Sequence, residues 1–148
     1  MLAPSLLTTN GSARGILAAR GVYGCMVGVM AVDGDRPLDE RERRLATNEA
    51  LFRDINEEIQ TVAFRLGGDD EHVYEFLCEC ANAECDLRLP LSLDEYERVR
   101  ANPVRFAVAP GHALPEIEDV IEQQAGYDVV EKRGEAARLV AGLDPRAR

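Results

Sequence analysis

The segment Phe76–Cys85 reads FLCECANAEC and places three of the four cysteines of this chain within eight residues. Thiols this close together in an intracellular protein are typical of metal ligands, and Zn²⁺ binds four such ligands as a tetrahedron, with Zn–S distances of about 2.3 Å. Cys78 and Cys80 are alternate residues of a predicted strand, so their side chains point to the same face. The loop 81–84 is long enough to bring Cys85 to a third corner. The segment therefore predicts a small domain stabilised by a structural zinc ion.

The fourth ligand has to come from another part of the chain. His112 is the preferred candidate, because it follows a Pro-Gly turn that exposes it and can direct it inward. His72, six residues before Cys78, and Cys25 are the alternatives. The Cys-x-Cys spacing is less common than the Cys-x-x-Cys of most zinc knuckles, and three buried apolar cysteines without a metal are the competing interpretation.

The chain resembles a family of small proteins of GC-rich bacteria that share a Cys-Glu-Cys-x4-Cys … Pro-Gly-His pattern, over residues 47–146. The matching segments are NEALFR at 48–53, NE at 56–57, FLCEC at 76–80 with Cys85, EYERVR at 95–100, PGH at 110–112, VVEK at 129–132 and DPR at 144–146. The resemblance implies no catalytic residue. It implies that the three clustered cysteines and His112 act as one set.

A long amphipathic helix is predicted at 39–66. Asp39 and Glu42 have the spacing of a capping box, and Gly67 and Gly68 end the pattern. The apolar residues recur in heptad steps: Leu45, Phe52, Ile55, Ile59, Val62 and Leu66. Such a helix is about 42 Å long at 1.5 Å per residue. Two arrangements fit the stripe: a coiled-coil homodimer in which Asn48 sets the register, or a helix packed on its own domain.

The rest of the chain predicts an α+β class, with about four strands and short helices after the long helix. The strands are predicted at 73–80, 86–91, 104–108 and 127–132, and the short helices at 93–101, from Pro115 to about Gly126, and at 135–141. The domain boundaries follow: a poorly ordered extension at 1–37, the helix at 39–66, a zinc-binding-like domain at 70–142 and a tail at 143–148.

Composition excludes several classes of protein. A net charge of −10 disfavours general binding to nucleic acid or to an anionic membrane, and no apolar run reaches the roughly 20 residues of a membrane span. The apolar stretch Gly21–Val32 lacks a good cleavage site, which favours a cytoplasmic location. Phosphate-binding glycine loops, Gly-x-Ser-x-Gly and His-Glu-x-x-His motifs do not occur. With two histidines in the chain, acid–base machinery is scarce, so we do not expect an enzyme.

The leading hypothesis is a non-enzymatic zinc-binding interaction or regulatory protein, whose partner is another protein or a second copy bound through helix 39–66. One alternative is a thiol-based redox sensor or metalloenzyme. Another is a nucleic-acid-binding zinc protein that uses a local basic patch. Its candidate residues are Arg98, Arg100, Arg105, Lys132, Arg133 and Arg138.

Overall fold

The computed structural model describes residues 36–147, which form a mixed α+β fold of three α-helices and two small antiparallel sheets. The elements in chain order are α1 (Glu40–Arg65), β1 (Val73–Leu77), β2 (Arg88–Ser92), α2 (Leu93–Arg100), β3 (Arg105–Val108), β4 (Glu118–Gln123), β5 (Asp128–Lys132) and α3 (Gly134–Gly142), followed by a 3-10 turn at Pro145–Ala147. The predicted extension at 1–37 lies outside the described residues except for Arg36 and Pro37, and Cys25 lies outside them as well.

Helix α1 begins at a reciprocal cap. The Asp39 carboxylate accepts a hydrogen bond from the Glu42 N–H at 2.8 Å, and the Asp39 N–H donates to the Glu42 side chain at 2.9 Å. These bonds satisfy donors that have no partner within the helix. At the other end the chain turns at Gly67, whose φ of +75° is in the left-handed region that favours glycine.

The face of α1 that packs on the domain is mostly polar. Its buried residues are Glu42, Ala46, Glu49, Ala50, Arg53, Asn56 and Ala63. Arg53 is fully buried, donates to the Pro103 and Arg105 carbonyls, and lies 3.6 Å from the centre of the Phe106 ring. Half of the predicted apolar stripe stays open to solvent, since Ile55 is 39 %, Val62 is 53 % and Leu66 is 82 % exposed.

The first sheet is a hairpin in which β1 pairs with β2, and the three clustered cysteines lie in the loop between the two strands. The second sheet has the order β3-β5-β4. Helix α2 begins at the predicted capping box, with the Ser92 hydroxyl accepting from the Glu95 N–H at 3.1 Å. It carries Tyr96, which stacks on Phe76 of β1 at 4.4 Å between ring centres. The core therefore joins the hairpin to α2 and to the second sheet.

The prediction of a helix from Pro115 to about Gly126 is wrong, because residues 118–123 of this segment form the edge strand β4. Ile117, Val120 and Ile121 have the spacing of one helical face, but only Ile117 is buried, and the other two are 43 % and 39 % exposed. A bulge between Val120 and Glu122 breaks the alternation that would have indicated a strand. The described residues thus contain five strands, where about four were predicted.

Two buried clusters of charge hold distant segments together. Lys132 of β5 is fully buried and forms ion pairs with Glu49 of α1 and Glu118 of β4. In the second cluster, the buried Arg100 of α2 pairs with Glu57 of α1 and, at 2.7 Å, with Asp144, which follows α3. Within residues 36–147, no helix is both long and apolar enough to cross a membrane.

Candidate metal centre

Four side chains converge at one side of the domain: Cys78 and Cys80, which follow β1, Cys85, which precedes β2, and His112, which follows β3. Their ligand atoms all lie within 4.8 Å of one another. The Nδ1 atom of His112 is 3.7 Å from the Sγ atoms of both Cys78 and Cys85. The edges of a tetrahedral zinc site with these ligands are about 3.6–3.8 Å long, so the group could hold such an ion with small adjustments.

Two tight turns place the outer ligands. In the cysteine loop, the Cys85 N–H donates to the Asn82 carbonyl at 3.0 Å, while the Asn82 side chain accepts from the Glu84 N–H at 3.1 Å. In the other turn, the His112 N–H donates to the Ala109 carbonyl at 2.9 Å, and Gly111 has a φ of +80°. The Pro-Gly signal in the sequence therefore has a direct structural cause, because this turn needs a left-handed residue immediately before the histidine.

Backbone groups act to lower the pKa of all three cysteine thiols. The Ala109 N–H donates to Cys78 Sγ at 3.1 Å. The backbone at Asn82 and Leu87 favours the thiolate forms of Cys80 and Cys85. Such donors stabilise negative charge on sulfur and hold the thiolates in place, so the loop backbone is preorganised for anionic ligands.

Hydrogen bonds among the thiols shift their pKa values in opposite directions. A hydrogen bond from the Cys78 thiol, reinforced by His112 and by the backbone, lowers the pKa of Cys80 to about 5. The pKa of Cys78 is raised because its proton is held by Cys80 and because the residue is buried. Burial is also the main cause of the raised pKa of Cys85. One thiolate is thus formed readily, and a metal ion has to displace the protons of the other two thiols.

Glu79, between two of the cysteines, is directed away from them. Its side chain is fully buried in the core. It accepts hydrogen bonds from the Tyr96 hydroxyl at 2.9 Å, the Asn56 side-chain amide at 3.0 Å and the Ala107 N–H at 3.0 Å. The strand predicted at 73–80 implies this direction, although β1 itself ends at Leu77. It does not predict the three partners, because they come from α1, α2 and β3.

The alternative ligands are not part of the group. His72 is exposed and packs edge-on against Tyr74, with 4.8 Å between ring centres, and it is absent from the cluster of ligand atoms. Cys25 lies outside the described residues. Of the two histidines in the chain, the structure therefore brings only His112 to the cysteines.

Several of the basic residues considered for nucleic-acid binding pair with acids of the same chain. Arg100 and Lys132 are buried in the ion pairs described above. Arg105 pairs with Glu131 at 2.8 Å, and Arg133 with Asp119 at 3.2 Å. This intramolecular neutralisation reduces the positive potential that phosphate binding requires.

Sequence reasoning missed the buried polar residues that support the centre. Glu49, Arg53 and Asn56 follow one another at steps of four and three along α1, which is the spacing of a single helical face. This spacing could have indicated a buried polar face, but the heptad pattern of apolar residues on the same helix was the stronger signal.

Comparisons with protein-family models, with curated proteins and with solved structures give no match to this chain.

Proposed function

We propose that this chain is a small zinc-binding protein in which the metal is structural and whose role is interaction or regulation rather than catalysis. The observation that supports the proposal best is the convergence of Cys78, Cys80, Cys85 and His112, with ligand atoms within 4.8 Å of one another. The ligands come from the β1–β2 loop and from the turn after β3. A bound ion would therefore fasten the hairpin to the second sheet.

The donor set favours zinc. Three thiolates and one imidazole are soft and borderline ligands, which suit Zn²⁺ better than Mg²⁺ or Ca²⁺, whose ligands are oxygen atoms. Because Nδ1 of His112 faces the sulfur atoms, its ligating tautomer carries the proton on Nε2.

A structural role for the metal fits the surroundings of the site. Four protein donors complete the usual coordination of zinc and leave no position for a reactive water. Glu79 lies between two of the ligands in sequence, but its hydrogen bonds direct it into the core, towards α1, α2 and β3. It is therefore badly placed to act as a general base for a metal-bound water.

Elemental analysis of the purified protein tests the proposal. We expect one zinc ion per chain, its loss in Cys80→Ser, and weaker retention in His112→Ala. The matched controls are Cys25→Ser and His72→Ala, which should keep the full complement of zinc. Wild-type protein prepared without chelator that contains no metal would overturn the proposal.

A redox sensor is the second candidate, because Cys85 is only half-buried at the outer side of the cluster. Hydrogen peroxide would accept two electrons from a pair of thiolates, which form a disulfide. The peroxide takes up two protons from the solvent and is reduced to two water molecules, and the zinc ion is released. Release of zinc by mild peroxide and its recovery after reduction would favour this role. Zinc that is retained under the same treatment would eliminate it.

A further inference from the structure

An open apolar groove lies beside the C-terminal half of α1. Its volume is about 460 Å³. The lining residues are Ile55, Glu58, Ile59, Val62, Ala63 and Leu66 of α1 and Tyr74 of β1. Val62 and Leu66 are more than half exposed, so the apolar wall is accessible to a partner. Exposed apolar surface of this kind is characteristic of interaction sites.

Among residues 36–147, the strand beside this groove has a free edge. The Cys78 N–H donates to the Leu87 carbonyl at 3.0 Å, so by alternation the backbone groups of Leu77, Glu75 and Val73 point away from β2. Pro90 stands opposite Glu75, which agrees with this register because proline has no N–H to donate.

Helix α1 occupies only one end of the free edge. The Asn56 side chain bonds both the N–H and the C=O of Leu77, at 2.8 and 2.9 Å, in the way a neighbouring strand would. The corresponding groups of Glu75 and Val73 have no partner among residues 36–147. Since Asn56 belongs to α1, the unpaired part of the edge lies on the side of β1 that faces the helix.

The rim of the groove is acidic. Glu58 is the one charged residue among those that line it, and Glu75 lies on the adjacent strand. No Lys or Arg is among the residues that line this groove. A second copy of this chain, with a net charge of −10, would bring these acids against one another, whereas a basic partner would neutralise them.

We propose that the groove between α1 and the free edge of β1 binds an extended, basic segment of another protein as an added β-strand. The segment would hydrogen-bond to Val73 and Glu75, place alternate apolar side chains against Val62 and Ile59, and direct its basic side chains to the rim. The inference rests on the interaction role proposed above and specifies the class of partner.

Isothermal titration of the zinc-containing protein tests this inference. The probe is a synthetic peptide of about eight residues in which valine alternates with arginine. We expect saturable binding that weakens as salt is added, and amide chemical-shift changes at Val73 and Glu75. A peptide with glutamate in place of arginine, and one N-methylated along the edge that pairs with β1, should each bind at least about tenfold more weakly.

Two exposed positions on α1 provide matched variants. Val62→Lys adds a positive charge inside the groove and should weaken binding of the arginine peptide at least about tenfold. Leu51→Lys adds the same charge at a residue that is 59 % exposed but does not line the groove, and should change affinity less than about twofold. Both side chains are solvent-exposed, so neither variant should prevent folding.

The results separate this inference from the metal proposal. The added-strand mode would be overturned if the N-methylated peptide bound as tightly as the unmodified arginine peptide. It would also be overturned if Val62→Lys bound the arginine peptide as tightly as the wild type does. Self-association of the wild type that Val62→Lys abolishes would instead assign the groove to a second copy and overturn the basic partner. Zinc-loaded protein that binds no peptide refutes this inference alone, whereas metal-free protein that binds the peptide refutes only the zinc proposal.

Discussion

Replacing Glu79 tests whether the buried polar residues and the candidate metal centre form one stable unit. In Glu79→Gln the side chain keeps its size, but one of its two oxygens becomes an amide that donates hydrogen bonds. The three partners of Glu79 at this position, Tyr96, Asn56 and Ala107, all donate to it. At least one donor therefore faces another donor in the variant.

The magnitude follows from the burial of the site. A hydrogen bond to a charged acceptor contributes about 1.5–3 kcal/mol, and a buried donor without a partner costs about 1–3 kcal/mol. We expect Glu79→Gln to lower the free energy of unfolding by about 2–4 kcal/mol, a large part of the 5–15 kcal/mol of a typical domain. Urea denaturation of zinc-loaded protein, followed by circular dichroism, measures this difference.

Tyr96→Phe is the matched control, since it removes one donor and leaves Glu79 with two. Its expected cost is smaller, about 1–2 kcal/mol, and the double variant should show less than the sum of the two effects. If Glu79→Gln unfolds at the same urea concentration as the wild type, Glu79 does not join these elements in solution and our reasoning fails.

Burial raises the pKa of Glu49 to about 8 against the opposing attraction of Lys132. The carboxyl group of Glu49 ionises near pH 4.5 in the unfolded state, so between pH 4.5 and 8 the folded state binds one proton more than the unfolded state. The stability that this proton contributes is lost as pH rises from about 4.5 to 8. Glu49→Gln should therefore make the melting temperature fall less over this pH range. Gly111→Ala should weaken zinc binding, because an alanine with a φ of +80° costs about 1–2 kcal/mol. Chelator competition measures the zinc affinity, and the control Gly142→Ala should leave that affinity unchanged. Arg100→Met should lower the free energy of unfolding in urea by about 3–5 kcal/mol, because it leaves the buried Asp144 carboxylate without its ion-pair partner. Arg146→Ala, which removes partly exposed ion pairs, should lower it by about 1 kcal/mol or less.

Each of these expectations has a result that contradicts it. An unchanged pH profile in Glu49→Gln would mean that another group controls stability between pH 4.5 and 8. Equal zinc affinity in Gly111→Ala would show that the turn does not position His112. A larger effect of Arg146→Ala than of Arg100→Met would reverse our ranking of exposed and buried ion pairs.

The parts of the fold that local chemistry determines could be predicted from the sequence. The capping box at Ser92 and the Pro-Gly turn before His112 depend on neighbouring residues, and they lie where they were predicted. The grouping of the histidine with the cysteines was also predicted, although Cys85 and His112 are 27 residues apart. It relied on the chemical expectation that three thiols need a fourth ligand.

The buried face of α1 could not be predicted in the same way, because its stability depends on partners that lie far along the chain. Arg53 is acceptable in the core only because the carbonyls of Pro103 and Arg105 accept its hydrogen bonds. Hydrophobic periodicity assumes that apolar residues point inward, whereas here the remote polar partners decide which face is covered.

The alternation of residues 78–80 links the two buried features of this protein. Cys78 and Cys80 face the candidate metal centre, whereas Glu79 between them enters the core between α1, α2 and β3. The side chains thus alternate just after β1 as they do within a strand. A shift of this segment by one residue would remove both sulfur ligands and would at the same time leave the donors around Glu79 without an acceptor. Coordination and core packing therefore stabilise the same register, and loss of either should weaken the other. For this reason we expect metal removal to reduce the protection of the Ala107 amide against hydrogen exchange, although that amide contacts Glu79 and none of the four ligands.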